Sequence, residues 1–287
     1  MMVTGSDIAP VVRLADASYQ PAGTADNTFL INIGLDCVSY AVLEEVSNTV
    51  VAYASHPLTS EDRTNEAIRI LGAEDWALEN FHQVRVVVQP NNYVLIPKDL
   101  FDPREIATYL RFNSFDEPED SLHFDRMDTL DLVGVYHLPY WVLSALNKQF
   151  QSPLVFAAPT PFIQLATREH KNEKSDQMLV LFTFETMHLV VIQNGKFIFY
   201  NSFTITAKED VSYYSLAVCE QVHLSPEKIA VHIWGEGEHF ASQASTLQYY
   251  FRNVKGGIRP KALKYADALQ PLTLSAQYPL FATALCE

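Results

Sequence analysis

Basic residues are scarce: 20 Lys and Arg against 34 Asp and Glu give a formal charge of -14, with a sequence pI near 5.0. Such a surface opposes nucleic acid and anionic lipid, so neither is expected as a partner. Cysteine is scarcer still. Cys37, Cys219 and Cys286 are odd in number, widely spaced and without a C-x-x-C pair, which excludes a disulfide framework and reads as buried reduced thiols. No run approaches the roughly 18 to 20 apolar residues that cross a bilayer, and Met1 to Asn27 holds no basic segment ahead of an apolar core. The expected location is the cytoplasm, without direct membrane insertion. Catalytic signatures are missing too: none of the nine histidines forms an H-x-x-x-H or H-E-x-x-H pair, and there is no G-x-S-x-G elbow or phosphate loop ending in Gly-Lys-Ser/Thr.

What is present is core material. Hydrophobic residues make up 48% and charged residues 19% of 287 positions, enough for two halves with cores of their own. The clearest stretch is Met178 to Phe203, which reads as three strands. Asn194-Gly195 sits between two apolar runs, and such a loop supplies the positive φ values of a type I′ hairpin. A counterpart lies earlier, with strands at Phe29–Gly34, Val38–Leu43 and Val50–Tyr53. Helices are expected at Glu74–Phe81, from Asp102 to Phe112, at Tyr140–Phe150, at Phe162–His170 and from a Thr206-Ala207-Lys208-Glu209 capping box to Val222. A last helix has the apolar face Phe240, Ala244, Leu247, Phe251 and Val254, ended by Gly256-Gly257. The tail reads as loop with a strand near Leu272 to Leu274.

Residues 115–131 are acidic and read as a solvated loop, since their spacing matches no EF-hand. Tyr213, Tyr214, Tyr249, Tyr250 and Phe251 fall at helical spacing and read as core, with an interface as the alternative. Prolines punctuate Pro153 to Pro161, so the halves divide there: 1–158, with an inserted subdomain at about 90–130, and 159–287.

With Asn32 set over Leu181, each half reads as strand, strand, strand, helix, strand. This duplicated α/β pattern resembles the actin-like ATPase superfamily, whose two lobes share a ribonuclease H-like core with mixed sheets; within it the chain is most similar to PilM and GspL assembly proteins. Val94-Leu95-Ile96-Pro97, Tyr200-Asn201-Ser202-Phe203, Cys219-Glu220-Gln221 and Tyr249-Tyr250-Phe251-Arg252-Asn253-Val254 also resemble a bacterial family of unknown function.

The superfamily resemblance implies an Asp-x-Gly phosphate motif on the first strand of each lobe. Here the first reads Asn32-Ile33-Gly34 and the second Leu181-Phe182-Thr183; Gly235-Glu236-Gly237 stands where an adenosine-binding turn would lie. A unit-charge pair at 4 Å is worth roughly 4 kcal/mol at an effective dielectric of 20, and a divalent ion doubles it, so losing both carboxylates removes most of the pull on magnesium. Asp36 and Glu44 are the nearby acids that could substitute; Asp36 reads more simply as a turn residue and Glu44 as a strand-end charge. The expectation is a non-catalytic actin-like scaffold or assembly factor that binds a protein partner, with a homodimer also open. It has no catalytic residues, no metal ligands and no cofactor, and Asn32, Gly34, Gly235 and Gly237 are the remnant of a nucleotide cleft. The alternative is a divergent ATP-binding protein that takes ATP with magnesium.

Overall fold

The computed structural model describes residues 12–17, 19–20, 25–90, 92–111, 122–235, 239–270, 272, 275 and 277–286. The chain falls into two compact units, one of residues 1–161, 262–273 and 279–287 and one of residues 162–261 and 274–278. Tail segments that the sequence places with the second half thus belong to the first.

The first unit opens with β1 (Val12–Ala15), then the meander β2 (Asn27–Ile33), β3 (Cys37–Glu44) and β4 (Thr49–Pro57). The helix expected at Glu74–Phe81 is instead α1 (Arg63–Ala73), followed by a 3-10 turn at Asp75–Leu78. Ala67, Ile70 and Leu71 supply the buried stripe of α1, a spacing too short to stand out among polar neighbours. Asp62 caps it by accepting from the Asn65 amide at 3.1 Å. Glu74 begins the 3-10 turn, accepting from the Trp76 amide at 3.2 Å.

β5 (Gln83–Val88), β6 (Tyr93–Pro97), α2 (Ile106–Arg111), β7 (Leu122–Met127), β8 (Leu132–His137), α3 (Tyr140–Gln149) and β9 (Leu154–Ala157) follow. The main sheet runs β1-β4-β3-β2-β5-β9, and β6-β8-β7 form a separate three-stranded sheet. Ile106 and Leu110 of α2 pack with Val133 and Val135 of β8. The expected acidic loop is corrected here: residues 115–121 lie outside the described residues, but 122–127 are a strand with Asp125 buried.

α4 (Pro159–His170) begins in the first unit and runs on into the second, whose further elements are β10 (Gln177–Thr183), β11 (Thr186–Gln193), β12 (Lys196–Thr204), α5 (Lys208–Gln221), β13 (Ala230–Trp234), α6 (Phe240–Tyr250) and β14 (Asn253–Gly256). The sheet runs β12-β11-β10-β13-β14, with β10 antiparallel to β11 and parallel to β13. This repeats the β4-β3-β2-β5 order and senses of the first unit. Asn194 and Gly195 both take positive φ, 51° and 73°, as the two-residue hairpin requires.

The α5 start is shifted by one residue: the Asp210 carboxylate, not Glu209, accepts from the Thr206 and Ala207 amides at 2.8 Å each. Val254 lies on β14 rather than α6, because the chain leaves the helix at Phe251. Trp234, at the end of β13, is 1% exposed, packs against Phe162 and Tyr278, and donates to the Ile258 carbonyl at 2.9 Å.

β15 (Lys264–Tyr265) pairs with β4, and α7 (Tyr278–Thr283) closes the order. Residues 273 and 274, of the strand expected in the tail, lie outside the described residues. Cys219 and Cys286 are buried as expected, while Cys37 is half-buried at the start of β3. No helix among the described residues is long and apolar enough to cross a membrane.

Candidate functional site

In the first unit the candidate position lies at the C-terminal end of β2, where open α/β sheets present ligand crevices. Asn32 is half-buried, opposite Ser39 of β3 and Val87 of β5. Gly34 follows in the turn and donates its amide to the Cys37 carbonyl at 3.0 Å. A Cβ at Gly34 would come within 2.9 Å of that oxygen, so the turn itself demands glycine.

Asp36 is an exposed turn residue whose carbonyl accepts the Leu58 amide at 2.8 Å, and Arg63 donates to the Leu35 carbonyl beside it. Glu44 stands opposite Asn27, whereas Ile33 stands opposite Val38. Asn32 stands opposite Ser39, and five residues at about 3.3 Å each place Glu44 roughly 17 Å along the hairpin from it. Glu44 therefore cannot replace a carboxylate at Asn32.

Gly34, Thr64, Gln89, His137 and Val142 line a cavity of about 70 Å³ at this end of the sheet. Its polar groups are hydroxyl, amide and imidazole. α3 opens beside it at Pro139 with no side-chain cap over its first amides, which are ordinary hydrogen-bond donors. The arrangement suits a water or a small hydrogen-bonding group. Pockets for organic ligands run to roughly 300 Å³ or more, and magnesium is held by one or two carboxylates; the lining has none, and the exposed Asp36, whose Oδ1 lies 3.4 Å from where a Gly34 Cβ would sit, is an acid beside it. This cavity by itself is too small for a magnesium triphosphate.

The matching position in the second unit is apolar. Asn32 pairs with Ser39 in the first hairpin and Leu181 with His188 in the second, each seven residues on, and Ile33 and Phe182 each belong to the core cluster of their own unit. The repeats therefore align with Asn32 over Leu181, as in the sequence, and Gly34 corresponds to Thr183. Phe182 is 3% exposed and packs edge-on against Phe240, with ring centroids 6.2 Å apart. A Cβ on Gly235 would lie 2.7 Å from Phe240 and 3.1 Å from Phe182. Glycine here makes room for an aromatic pair. Gly237 lies outside the described residues.

Two polar clusters of the first unit went unread in the sequence. Asp125, 6% exposed, accepts from the Tyr136 hydroxyl at 2.9 Å, the Ala157 amide at 2.9 Å and the Thr160 hydroxyl at 2.6 Å. Tyr93 completes the chain by donating to Thr160 at 3.0 Å. Burial pushes the Asp125 carboxyl up to about 6 against the pull of these donors. Only its alternation with Phe124 and Arg126 could have signalled a strand.

Glu74 takes two contacts from Arg13 at 2.7 and 2.9 Å and one from the Tyr40 hydroxyl, with His56 at 3.7 Å. Burial alone would raise it, but His56, Tyr40, Arg13 and the Trp76 amide hold it down at about 2. These groups are 61 and 34 residues from Glu74 in the chain, a separation that no local pattern reveals.

In the second unit His188 is 2% exposed, between Thr183 and Tyr200 at 3.0 Å each. Burial lowers it to about 4. His170 lies with its ring 5.0 Å from that of His232, and burial, then the neighbouring His232 and Lys261, lower it to about 4. Among the described residues no group of three or more His, Cys, Asp or Glu side chains is placed to hold a metal. Tyr213, Tyr249 and Tyr250, expected in the core, are 68%, 82% and 44% exposed, while Phe251 is 2% exposed. Leu247 and Phe251, four apart, anchor α6 and turn the two tyrosines outward.

Comparison with known proteins places this geometry. The family model described as "Protein of unknown function (DUF3822)" matches residues 16–254. A crystal structure from Bacteroides thetaiotaomicron VPI-5482, of a protein with actin-like ATPase fold and unknown function, is similar over 94% of this chain and 100% of its own, with TM-score 0.80 at 15% identity. The PilM-PilN type IV pilus biogenesis complex is similar over 92% of this chain and 97% of its own, with TM-score 0.54 at 13% identity. At such identities the likeness establishes the actin-like ATPase fold and nothing further. No curated protein sequence matches the chain.

Proposed function

The chain belongs to the DUF3822 family and has the actin-like ATPase fold; from that premise we propose that it is a non-catalytic scaffold, working by binding another protein. The observation that carries this reading is chemical. The position of the first phosphate motif bears Asn32 without a carboxylate, and its counterpart bears Leu181, 1% exposed. Neither motif position keeps its carboxylate, and the acid nearest Gly34, Asp36, is an exposed turn residue, so the pull on magnesium is weakened, and Thr183 in place of a second glycine narrows the approach to phosphate.

Binding surface is not lacking: Tyr213 on α5 and Tyr249 and Tyr250 on the neighbouring α6 stand in solvent, and tyrosine is enriched where proteins meet. The similarity to PilM, whose structure is of a complex with PilN, supports the idea that this fold can hold a partner. The chain is read as cytoplasmic, with no nucleic-acid partner, given its charge of -14.

A second reading, divergent ATP binding, draws on the uncapped α3 terminus and the donors Thr64, Gln89 and His137 around the cavity. Isothermal titration with ATP and magnesium, and with ADP, separates the two. The scaffold reading expects no heat of binding below millimolar concentration. A micromolar dissociation constant that depends on magnesium overturns it.

A further inference from the structure

β12 is the outermost strand of the second unit's sheet, and among the described residues no strand pairs with its outer side. It is nine residues long, against four for β14 at the opposite edge. Exposed edges of this kind are normally blunted by charge, proline, a bulge or a short length. β12 carries such devices at its start, in the exposed Lys196 and the bulge at Ile198. From Phe197 to Ala207 the chain carries no charged residue, no proline and no glycine, in a protein of net charge -14. The repulsion that keeps copies apart elsewhere is absent along this edge.

The backbone direction follows from two contacts. The Ile205 amide donates to the Glu185 carbonyl at 2.7 Å, toward β11, and amides alternate sides along an antiparallel strand. The Ser202 and Thr204 amides therefore point outward. The Ser202 amide is met by the side chain of its neighbour Asn201 at 2.9 Å, a local plug on the edge. The bulge lies at the other end, where Ile198 is passed over between Val191 and Ile192, leaving Phe199 to Thr204 in regular register.

We propose that β12 is a self-association edge that pairs antiparallel with β12 of a second copy about a two-fold axis at Ser202. The axis sets the outward Ser202 amides against each other and Thr204 against the partner copy's residue 200. On the face covered by α5, Phe199 meets residue 205 of the second copy and Asn201 meets residue 203. Phe199, Phe203 and Ile205 are apolar residues only partly buried against the second unit's core, so pairing covers surface that one copy leaves open. The same patch serves both copies, as a closed dimer requires. Lys208, near the end of the segment, has its charge partly met by Glu209 at 3.9 Å.

Sedimentation velocity from micromolar to several hundred micromolar tests this on the full chain. The expected result is a reversible monomer–dimer equilibrium. Ser202→Pro removes an outward amide that β11 does not use, so the fold persists and the dimer is lost. Asn201→Ala removes the plug and tightens the dimer by on the order of tenfold, one freed amide per copy. Thr204→Lys, at an exposed position, serves if the proline variant fails to fold, and likewise abolishes the dimer. Amide exchange at Ser202 and Thr204 slows with protein concentration. A wild-type chain that stays monomeric throughout, or a dimer untouched by both Ser202→Pro and Thr204→Lys, overturns the proposal.

Discussion

A carboxylate set among apolar strands keeps its charge only while donors surround it, and Asp125 has three, from β8, from the end of β9 and from the first turn of α4. It therefore ties the small sheet to the main one. Asn in its place keeps the volume but offers one acceptor oxygen for three donors, so Asp125→Asn is expected to cost about 1–3 kcal/mol. The pH dependence has a definite sign. Because the folded carboxyl is raised from 3.8 to about 6, the wild type loses stability as pH rises through that window, and the amide does not. Urea denaturation at pH 4.5 and 7.5 should give a larger wild-type advantage at the lower pH. At Gly34 the test is steric: Gly34→Ala drives a Cβ to 2.9 Å from the Cys37 carbonyl and should cost about 1–3 kcal/mol, measured by the same method. A loss of that size without any ligand present assigns the glycine to the turn.

At the scale of elements, α5 is held at its start by Asp210, which gathers the Thr206 and Ala207 amides. Asp210→Ala should lower stability by about 1 kcal/mol and quicken amide exchange in the first turn of α5, while Glu209→Ala, with no cap to lose, changes little. The two meanders and their hairpin were readable in advance because alternating apolar residues and the Asn194-Gly195 pair are local signals. β7, β9 and β14 were not. β7 carries His123 and Asp125, whose burial depends on partners elsewhere in the chain. β9 lies between prolines and reads as a break. Val254 continues the spacing of α6 by coincidence, after Phe251 has already left the helix. The candidate site was legible at Asn32 and Gly34, whereas Thr64, Gln89 and His137 come together only through the sheet order.

For the whole molecule, the two units should answer acid differently. His170 and His188 of the second unit are lowered from 6.5 to about 4, so their neutral burial stabilises above 6.5 and is lost as pH falls toward 4. Each shift corresponds to on the order of 3 kcal/mol. Over the same range protonation of Asp125 favours the first unit, and Glu74, held at about 2, withdraws its support only below 4.5. Hydrogen exchange read by mass spectrometry along a pH series should show β10 to β13 opening first, near pH 5, with β2 to β5 protected to lower pH. Simultaneous opening would contradict these assignments.

Of the three indoles in the sequence, Trp76 and Trp141 belong to the first unit and Trp234 to the second. Trp234 is sealed between Phe162 and Tyr278 with its nitrogen bonded to Ile258. Replacing the other two by phenylalanine would leave a single fluorophore whose emission reddens when its own half of the chain comes apart, an optical channel that the protein already contains.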